Sequence, residues 1–281
     1  MNYGETELDK FTTFDETELD VHIWAADEPK GILLCIHGGL AHAGDYVNIG
    51  NYFKDKGYTT VSYDLRGHKQ KRIKLKNFDD YLEDTSHFVK WVKDKYTGLP
   101  IFIIAHSMGC NIMTKYLITN PSEAEFFKGT IFSSPYYGNA IKVPGIMKAL
   151  SGFLAVIIPN AKLPMEDFTP SLTHDTKIYD RHREDERKNI RGTEASIRFG
   201  SQLLKSQSWI ANNIERLDHP LLFFIAGDDK LSDVKTTKDL LTKLNQEKIT
   251  QFYYENNYHE NFNETNREEI FAKMLDWISK L

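Results

Sequence analysis

The hydrophobic positions of this chain fall into two alternating patterns. In the first, short and mainly apolar or β-branched runs of the kind that form strands buried on both faces recur along the sequence. These runs are residues 32–36, 59–63, 101–105, 129–132 and 221–226. In the second, apolar residues recur about every 3.6 positions, as they do in amphipathic helices. The alternation predicts an α/β protein with a mostly parallel central sheet and helices on both faces.

Two parts of the chain depart from this alternation. Residues 19–24 alternate in polarity, which predicts an antiparallel strand leading into the sheet. Residues 134–217 carry several helical patterns, repeated prolines and no clear strand. We interpret 134–217 as a helical cap, or lid, inserted over the C-terminal edge of the sheet, and 1–133 with 218–281 as the core domain.

The apolar run at 101–105 ends in a candidate nucleophile. Ala-His-Ser-Met-Gly at 105–109 follows this strand and precedes a helical pattern. It matches the nucleophile elbow G-x-S-x-G, with Ala105 in place of the first glycine. Small neighbours are needed because the serine sits in a strained turn, and the following helix directs backbone N–H groups toward an oxyanion. The alternative is a strand–helix junction in which Ser107 only caps the helix.

A glycine pair after the first apolar run supports the elbow. His37-Gly38-Gly39-Leu40 stands where hydrolases with this elbow donate the second N–H of an oxyanion hole. We expect Gly39 and Met108 to supply the two N–H groups, although Gly–Gly turns are also common in ordinary loops.

A serine nucleophile needs a histidine base and a carboxylate that orients it, and with this elbow they follow in the order serine, acid, histidine. Only His219 and His259 lie beyond the predicted cap, and His219 precedes the strand that leads to the acid. His259 is therefore the candidate base. Asp228 and Asp229 are both candidates for the acid, and either could instead serve only the turn.

Composition and charge exclude some partners. The 281 residues carry a formal net charge of -5, so no overall positive charge favours nucleic acid or an anionic membrane. The first ten residues are too acidic for a signal peptide, and no apolar run reaches the roughly 18 residues of a spanning helix. Cys35 and Cys110 lie in apolar segments and are expected to be buried and reduced. We expect a cytoplasmic protein that can also make peripheral contact with membranes. The sequence does not predict an oligomeric state.

Four motifs are spread over most of the chain: H-G-G-x-x-H-x-G at 37–44, Y-D-x-R-G-H at 63–68, A-H-S-M-G at 105–109 and Y-H-E at 258–260. In combination they resemble the monoacylglycerol lipase and lysophospholipase branch of the α/β-hydrolases, which is related to the S33 serine aminopeptidases. The resemblance implies the α/β-hydrolase fold with a cap, and neither a metal nor an organic cofactor.

The resemblance also implies site residues. The triad would be Ser107, Asp229 and His259, with Asp229 chosen over Asp228 because it aligns with the first aspartate of the family's D-R-x-x-D motif. The oxyanion hole would again be formed by the N–H groups of Gly39 and Met108.

Two departures from the family affect the alcohol half of the substrate. Where lipases of this branch carry a glutamate and an arginine near the glycerol end, this chain has Ala41 and Asp45. The cap motif D-P-L is replaced by a densely charged run at 180–191. This run is typical of a solvated face, and the alternative is that it binds an anionic or polar head group.

The predicted cap contains an apolar helical segment at 145–159 with a single charge. It could be a helix buried against the core, or a lid whose inner face lines an acyl tunnel and whose outer face touches lipid. Residues expected to contact the substrate are Leu40, Ile146, Leu150, Leu154 and Tyr179.

The leading hypothesis is a serine carboxylic ester hydrolase that cleaves monoacylglycerols, lysophospholipids or related acyl esters through an acyl-enzyme. A capped serine aminopeptidase similar to proline iminopeptidases is the first alternative. A non-catalytic binding protein on the same scaffold is the second, and the ordered serine, acid and histidine disfavour it.

Overall fold

The computed structural model describes residues 3–141 and 145–281, without the side chains of 145–149. Its strands are β1 Glu7–Thr12, β2 Glu18–Trp24, β3 Gly31–Ile36, β4 Tyr58–Tyr63, β5 Arg72–Ile73, β6 Ile101–His106, β7 Phe127–Ser133, β8 Glu194–Ala195, β9 Leu221–Ala226 and β10 Ile249–Tyr254. Its α-helices are α1 Val47–Lys54, α2 Asp79–Lys95, α3 Met108–Thr119, α4 Pro121–Ala124, α5 Gly145–Ile157, α6 Thr176–Arg187, α7 Ile197–Asn213, α8 Val234–Leu241 and α9 Arg267–Ile278.

Eight strands form the central sheet in the order β1-β2-β4-β3-β6-β7-β9-β10. The pairs from β4 to β10 are parallel, and β2 is antiparallel to both β1 and β4. The predicted parallel sheet and the antiparallel leading strand are therefore confirmed. Strand β1 was not predicted, because its side chains are mostly exposed and lack an apolar run.

The core lies on both faces of this sheet, since β3 is buried along its whole length. Leu34 and Ile36 belong to the core cluster that includes residues of α2, α3 and α8. Leu33 and Cys35 face the opposite way and belong to the cluster that includes residues of α1 and α9. Alternate residues of one strand thus bury apolar area against two helical layers, at roughly 1.5–3 kcal/mol per large side chain.

The segment between β7 and β9 holds α5, α6 and α7, and α5 packs against α7. It also holds β8, which pairs in parallel with β5 through Arg72 and Glu194. The expectation of no strand in this segment was wrong, because a two-residue strand is too short to leave a sequence pattern. The division into a core and a cap at residues 134–217 stays a prediction.

Helix α5 has an exposed apolar face. Phe153 is 63% exposed and Val156 is 73% exposed, whereas Ala155 on the opposite side is buried. Arg198 of α7 donates to the Ala155 carbonyl oxygen at 3.3 Å. Among the helices of the described residues, none has both the length and the apolar composition to span a bilayer. Cys35 and Cys110 are buried free thiols, as predicted.

A buried ionic cluster fastens β2 to the loop after β4. His22 lies between the carboxylates of Glu5, at 2.6 Å, and Asp64, at 3.4 Å. Burial alone would lower the pKa of His22, but the hydrogen bonds and charges of Asp64 and Glu5 outweigh it and raise the pKa to about 9.

This shift predicts a pH-dependent stability. The contribution of His22 is fully present below its unfolded-state pKa of 6.5 and is lost as the pH rises toward its folded-state pKa of about 9. The free energy of unfolding of the native chain, minus that of His22→Gln, should fall by about 3 kcal/mol over this interval. Urea unfolding at pH 6.5 and pH 9 measures it. The exposed His87→Gln is the control, and a pH-independent difference for His22→Gln would refute the assignment.

Candidate active site

The carboxyl ends of parallel strands meet at one edge of the sheet, and the candidate site lies there. Ser107 stands between β6 and α3 with φ 53° and ψ −119°, a left-handed conformation that is costly for a residue with a side chain. A Cβ at Gly109 would lie 2.2 Å from the carbonyl oxygen of Ile36, so this position has to be glycine. A Cβ at Gly38 would lie 3.0 Å from that of Ser107. The small residues of both motifs are therefore required by the close approach of two loops.

The structure brings the three predicted triad residues together. His259 Nε2 lies 2.8 Å from Ser107 Oγ, and His259 Nδ1 lies 2.7 Å from Asp229 Oδ2. The histidine comes from the loop after β10, and the aspartate from the loop after β9. Hydrogen bonds thus link hydroxyl, imidazole and carboxylate, which is the arrangement that transfers a proton away from a serine nucleophile.

The same geometry shows which of the two candidate acids, Asp228 or Asp229, contacts His259. Asp229 Oδ1 accepts hydrogen bonds from the N–H groups of Leu231 at 2.8 Å and Ser232 at 2.9 Å, which leaves Oδ2 for His259. Burial alone would raise the pKa of Asp229, but the charge and hydrogen bond of His259 and the two N–H donors lower it. Asp228 instead points to the surface and pairs with Lys230.

The two predicted oxyanion-hole residues are neighbours. Met108 is the first residue of α3, where backbone N–H groups have no partner within the helix. A Cβ at Gly39 would lie 3.7 Å from Met108 Sδ and 3.9 Å from Met108 Cβ, so the two backbones are adjacent. A helix N-terminus beside a glycine-rich turn favours an anion electrostatically.

The motif histidine His37 holds the glycine turn in place. Its Nε2 accepts from the Leu65 N–H at 2.9 Å, so the proton is on Nδ1, which donates to the Gly38 carbonyl oxygen at 2.8 Å. Burial lowers the pKa of His37 to about 4. His37 therefore stays neutral near pH 7. Both of its ring nitrogens are hydrogen-bonded to the backbone, so its role is to hold the loop and not to transfer a proton.

The charged run at 180–191 is only in part a solvated face. Arg191 donates to Glu260 at 2.7 Å and to Asp45 at 2.6 Å, and His182 Nε2 lies 2.8 Å from Glu260. These side chains are buried, and Glu260 directly follows the triad histidine. Sequence analysis missed this network, although Asp45, which stands where the family has an arginine, was a signal that the charge pattern differs here.

The network predicts a large loss of stability in Arg191→Met. This change removes the buried cation that Asp45 and Glu260 share, and breaking a buried ion pair in this way costs about 3–5 kcal/mol. Arg187→Met is the matched control, because Arg187 is 68% exposed and Arg191 is 5% exposed. Urea unfolding measures both free energies, and equal values for the two variants would contradict the prediction.

His42, Asp45 and Asp185 are the described residues whose ligand atoms lie close enough to consider for a metal ion, within 4.8 Å of one another. Asp45 already accepts from the guanidinium groups of Arg191 at 2.6 Å and Arg181 at 3.3 Å. Two cationic groups on one ligand disfavour a further cation, so the cluster is better suited to ion pairing.

A cavity of about 420 Å³ reaches Gly39, one of the two expected oxyanion residues, and Gly39 and Leu40 line it. A second cavity, of about 20 Å³, lies beside Ala41 and Asp45, where the alcohol half was expected, and has room for no more than about one water molecule.

Of the five predicted substrate contacts, Leu40 lines the larger cavity and the other four do not appear among its described lining residues. Leu150 is 48% exposed and Leu154 is partly buried on α5, and the side chain of Ile146 lies outside the described residues. The Tyr179 hydroxyl accepts from Arg183, which lines the larger cavity. All five substrate contacts stay predictions.

On a mostly parallel sheet of eight strands, a serine elbow of this kind defines the protein as a hydrolase of the α/β-hydrolase class, and the predicted fold class is confirmed. Within this class the chain belongs to the serine aminopeptidase S33 family, whose model matches residues 27–266. The family resemblance of the four motifs is therefore confirmed.

Relatives in this class include ester-cleaving enzymes. A phospholipase of Bacillus subtilis is 29% identical over 252 residues, which is 88% of this chain and 95% of that protein. A monoacylglycerol lipase of Mycolicibacterium smegmatis is 24% identical over 261 residues, which is 91% of both chains. The structure of a soluble variant of monoglyceride lipase from Saccharomyces cerevisiae has a TM-score of 0.84 at 20% identity, and the match covers 100% of this chain and 97% of that one.

Proposed function

We propose that this chain hydrolyses carboxylic esters of fatty acids through an acyl-enzyme on Ser107. The observation that carries the proposal is the pair of hydrogen bonds made by His259, at 2.8 Å to Ser107 and 2.7 Å to Asp229. The named relatives, a phospholipase and a monoacylglycerol lipase, support an ester as the bond that is cleaved.

The geometry supports the following sequence of steps. His259 Nε2 takes the proton of Ser107 as Oγ attacks the ester carbonyl carbon, while Asp229 holds the imidazole and stabilises its positive charge. The N–H groups of Gly39 and Met108 stabilise the oxyanion of the tetrahedral intermediate. His259 then gives the proton to the departing alcohol, and a water molecule activated in the same way releases the acid.

The substrates that we propose are monoacylglycerols, lysophospholipids or related acyl esters. In this proposal residues 134–217 act as a cap, and the apolar face of α5 makes transient contact with lipid aggregates or a membrane. Phe153 and Val156 on that face support it, because an exposed apolar helix face is stabilised when it leaves water. The protein would act in the cytoplasm, in part at membrane surfaces.

A capped serine aminopeptidase is the second candidate, and one observation favours it. The larger cavity is lined by Glu166, Asp167 and Glu186, and carboxylates are what the free amine of a peptide substrate requires. The same triad would then cleave an amide bond.

Active-site labelling and a substrate panel test both candidates. We expect a fluorophosphonate probe to modify Ser107, located by peptide mass spectrometry, and p-nitrophenyl esters to be cleaved with a rate that depends on chain length. Aminoacyl-naphthylamides should be cleaved slowly or not at all. Amide turnover without ester turnover would select the aminopeptidase, and failure of the probe to modify Ser107 would overturn both candidates.

A further inference from the structure

The cavity of about 420 Å³ is lined by apolar residues, among them Leu40 next to Gly39, and by a set of charged residues that we call its mouth. Leu40, Leu172 and Leu231 line it together with Gly39, and Leu231 follows the triad acid by two positions. Its volume is within the range of pockets that hold small ligands, roughly 300–1,000 Å³. Because the expected oxyanion residue Gly39 lines this cavity, a substrate with its ester at Ser107 would extend into it.

One ion-pair cluster of the mouth, which we call its basic side, has an excess of positive charge. Glu194 Oε1 lies 3.2 Å from Lys162 Nζ and 3.7 Å from Lys71 Nζ, and Glu194 Oε2 lies 2.7 Å from Arg72. Three cations share one carboxylate, which leaves a local excess of two positive charges. Lys71 and Lys162 both line the cavity and are exposed, so their ammonium groups can turn toward an anionic ligand.

A second ion-pair cluster of the mouth, which we call its acidic side, has the opposite excess. Arg183 donates to Glu186 at 2.8 Å and to Asp167 at 2.5 Å, and the exposed Glu166 lines the cavity beside them. Two carboxylates share this guanidinium group and Glu166 adds a third, which leaves an excess of two negative charges among these four side chains. Phe168 also lines this part of the cavity, and an aromatic ring favours an alkylammonium group.

We propose that this charged mouth binds the zwitterionic head group of a lysophospholipid, such as lysophosphatidylcholine. The phosphate lies against Lys71 and Lys162, and the ammonium group lies against Glu166, Asp167 and Phe168. The proposal rests on the proposed function, since hydrolysis at Ser107 adds water across the acyl C–O bond and releases the fatty acid and the glycerophospho-alcohol. A neutral monoacylglycerol has no charge to match either side of the mouth.

Three substrates with the same short acyl chain test the two sides separately: lysophosphatidylcholine, lysophosphatidic acid and monoacylglycerol. We expect the highest kcat/KM with lysophosphatidylcholine. Lys71→Gln with Lys162→Gln should lower kcat/KM about tenfold for both phosphate-bearing substrates and change it less than twofold for monoacylglycerol. Lys177→Gln, an exposed lysine of α6 outside the cavity, is the matched control.

The acidic side requires the opposite pattern. Glu166→Gln should lower kcat/KM for lysophosphatidylcholine and raise it for lysophosphatidic acid, because it removes an attraction in one case and a repulsion in the other. Equal effects on all three substrates, or a preference for monoacylglycerol, would overturn the head-group proposal while ester hydrolysis stands. If the native chain were neither labelled by the fluorophosphonate probe nor able to hydrolyse esters, the proposed function itself would be overturned.

Discussion

Ser107→Ala should lower kcat for ester hydrolysis by about a millionfold, the largest effect expected from any single change in this chain. The substitution removes the Oγ atom that lies 2.8 Å from His259, and no other hydroxyl group takes its place in the hydrogen bonds of the triad. The oxyanion N–H groups are backbone atoms and remain, so a small residual rate above that of water is expected. Initial rates with a p-nitrophenyl ester measure the change.

Ser208→Ala is the matched control, because Ser208 is an exposed residue of α7 and should keep full activity. Urea unfolding checks that both variants remain folded. Ester hydrolysis by Ser107→Ala at a tenth or more of the native rate would show that another residue is the nucleophile.

Asp229→Asn should lower kcat about ten-thousandfold, whereas Asp228→Asn should leave it within about twofold. Asparagine at 229 can still accept the two backbone N–H bonds that Asp229 Oδ1 accepts. It would then present an N–H donor to His259 Nδ1 in place of a carboxylate, which favours the tautomer that cannot accept a proton from Ser107. Asp228 is exposed and contacts Lys230 instead.

The comparison uses two adjacent residues with the same chemistry, so general effects of lost charge on the loop cancel. Full kinetics at several pH values separate kcat from KM, and the loss should lie in kcat. A similar loss of kcat in both variants, or a larger one in Asp228→Asn, would contradict the assignment of Asp229 as the triad acid.

Much of the fold could be predicted because the central strands are buried on both faces. A strand such as β3 must then be apolar at every position, which leaves an uninterrupted run that sequence analysis detects. Strand β1 lies at the edge of the sheet and strand β8 has two residues, so neither carries such a run. Edge position and short length are why both were missed.

The charged run at 180–191 shows where local patterns fail. Asp185 and Arg191 are polar in the sequence and therefore predicted a solvated face, yet both are buried. Their partners, His42 for Asp185 and Asp45 with Glu260 for Arg191, are distant in the sequence. A charge that is paired across the fold can be buried, and no local periodicity records the pairing.

The sequence by itself determined the class of fold, the elbow at Ser107 and the candidate base His259, because strand burial, tight turns and chain order each impose local residue types. The sequence alone could not choose between the two neighbouring aspartates except through a family alignment. Only the tertiary structure shows directly which of them faces the histidine. It also decided that charged side chains from Lys71, from residues 162–167 and from residues 183–194 line one cavity. Such choices depend on distances between loops at the carboxyl edge of the sheet, and those distances are properties of the packed chain.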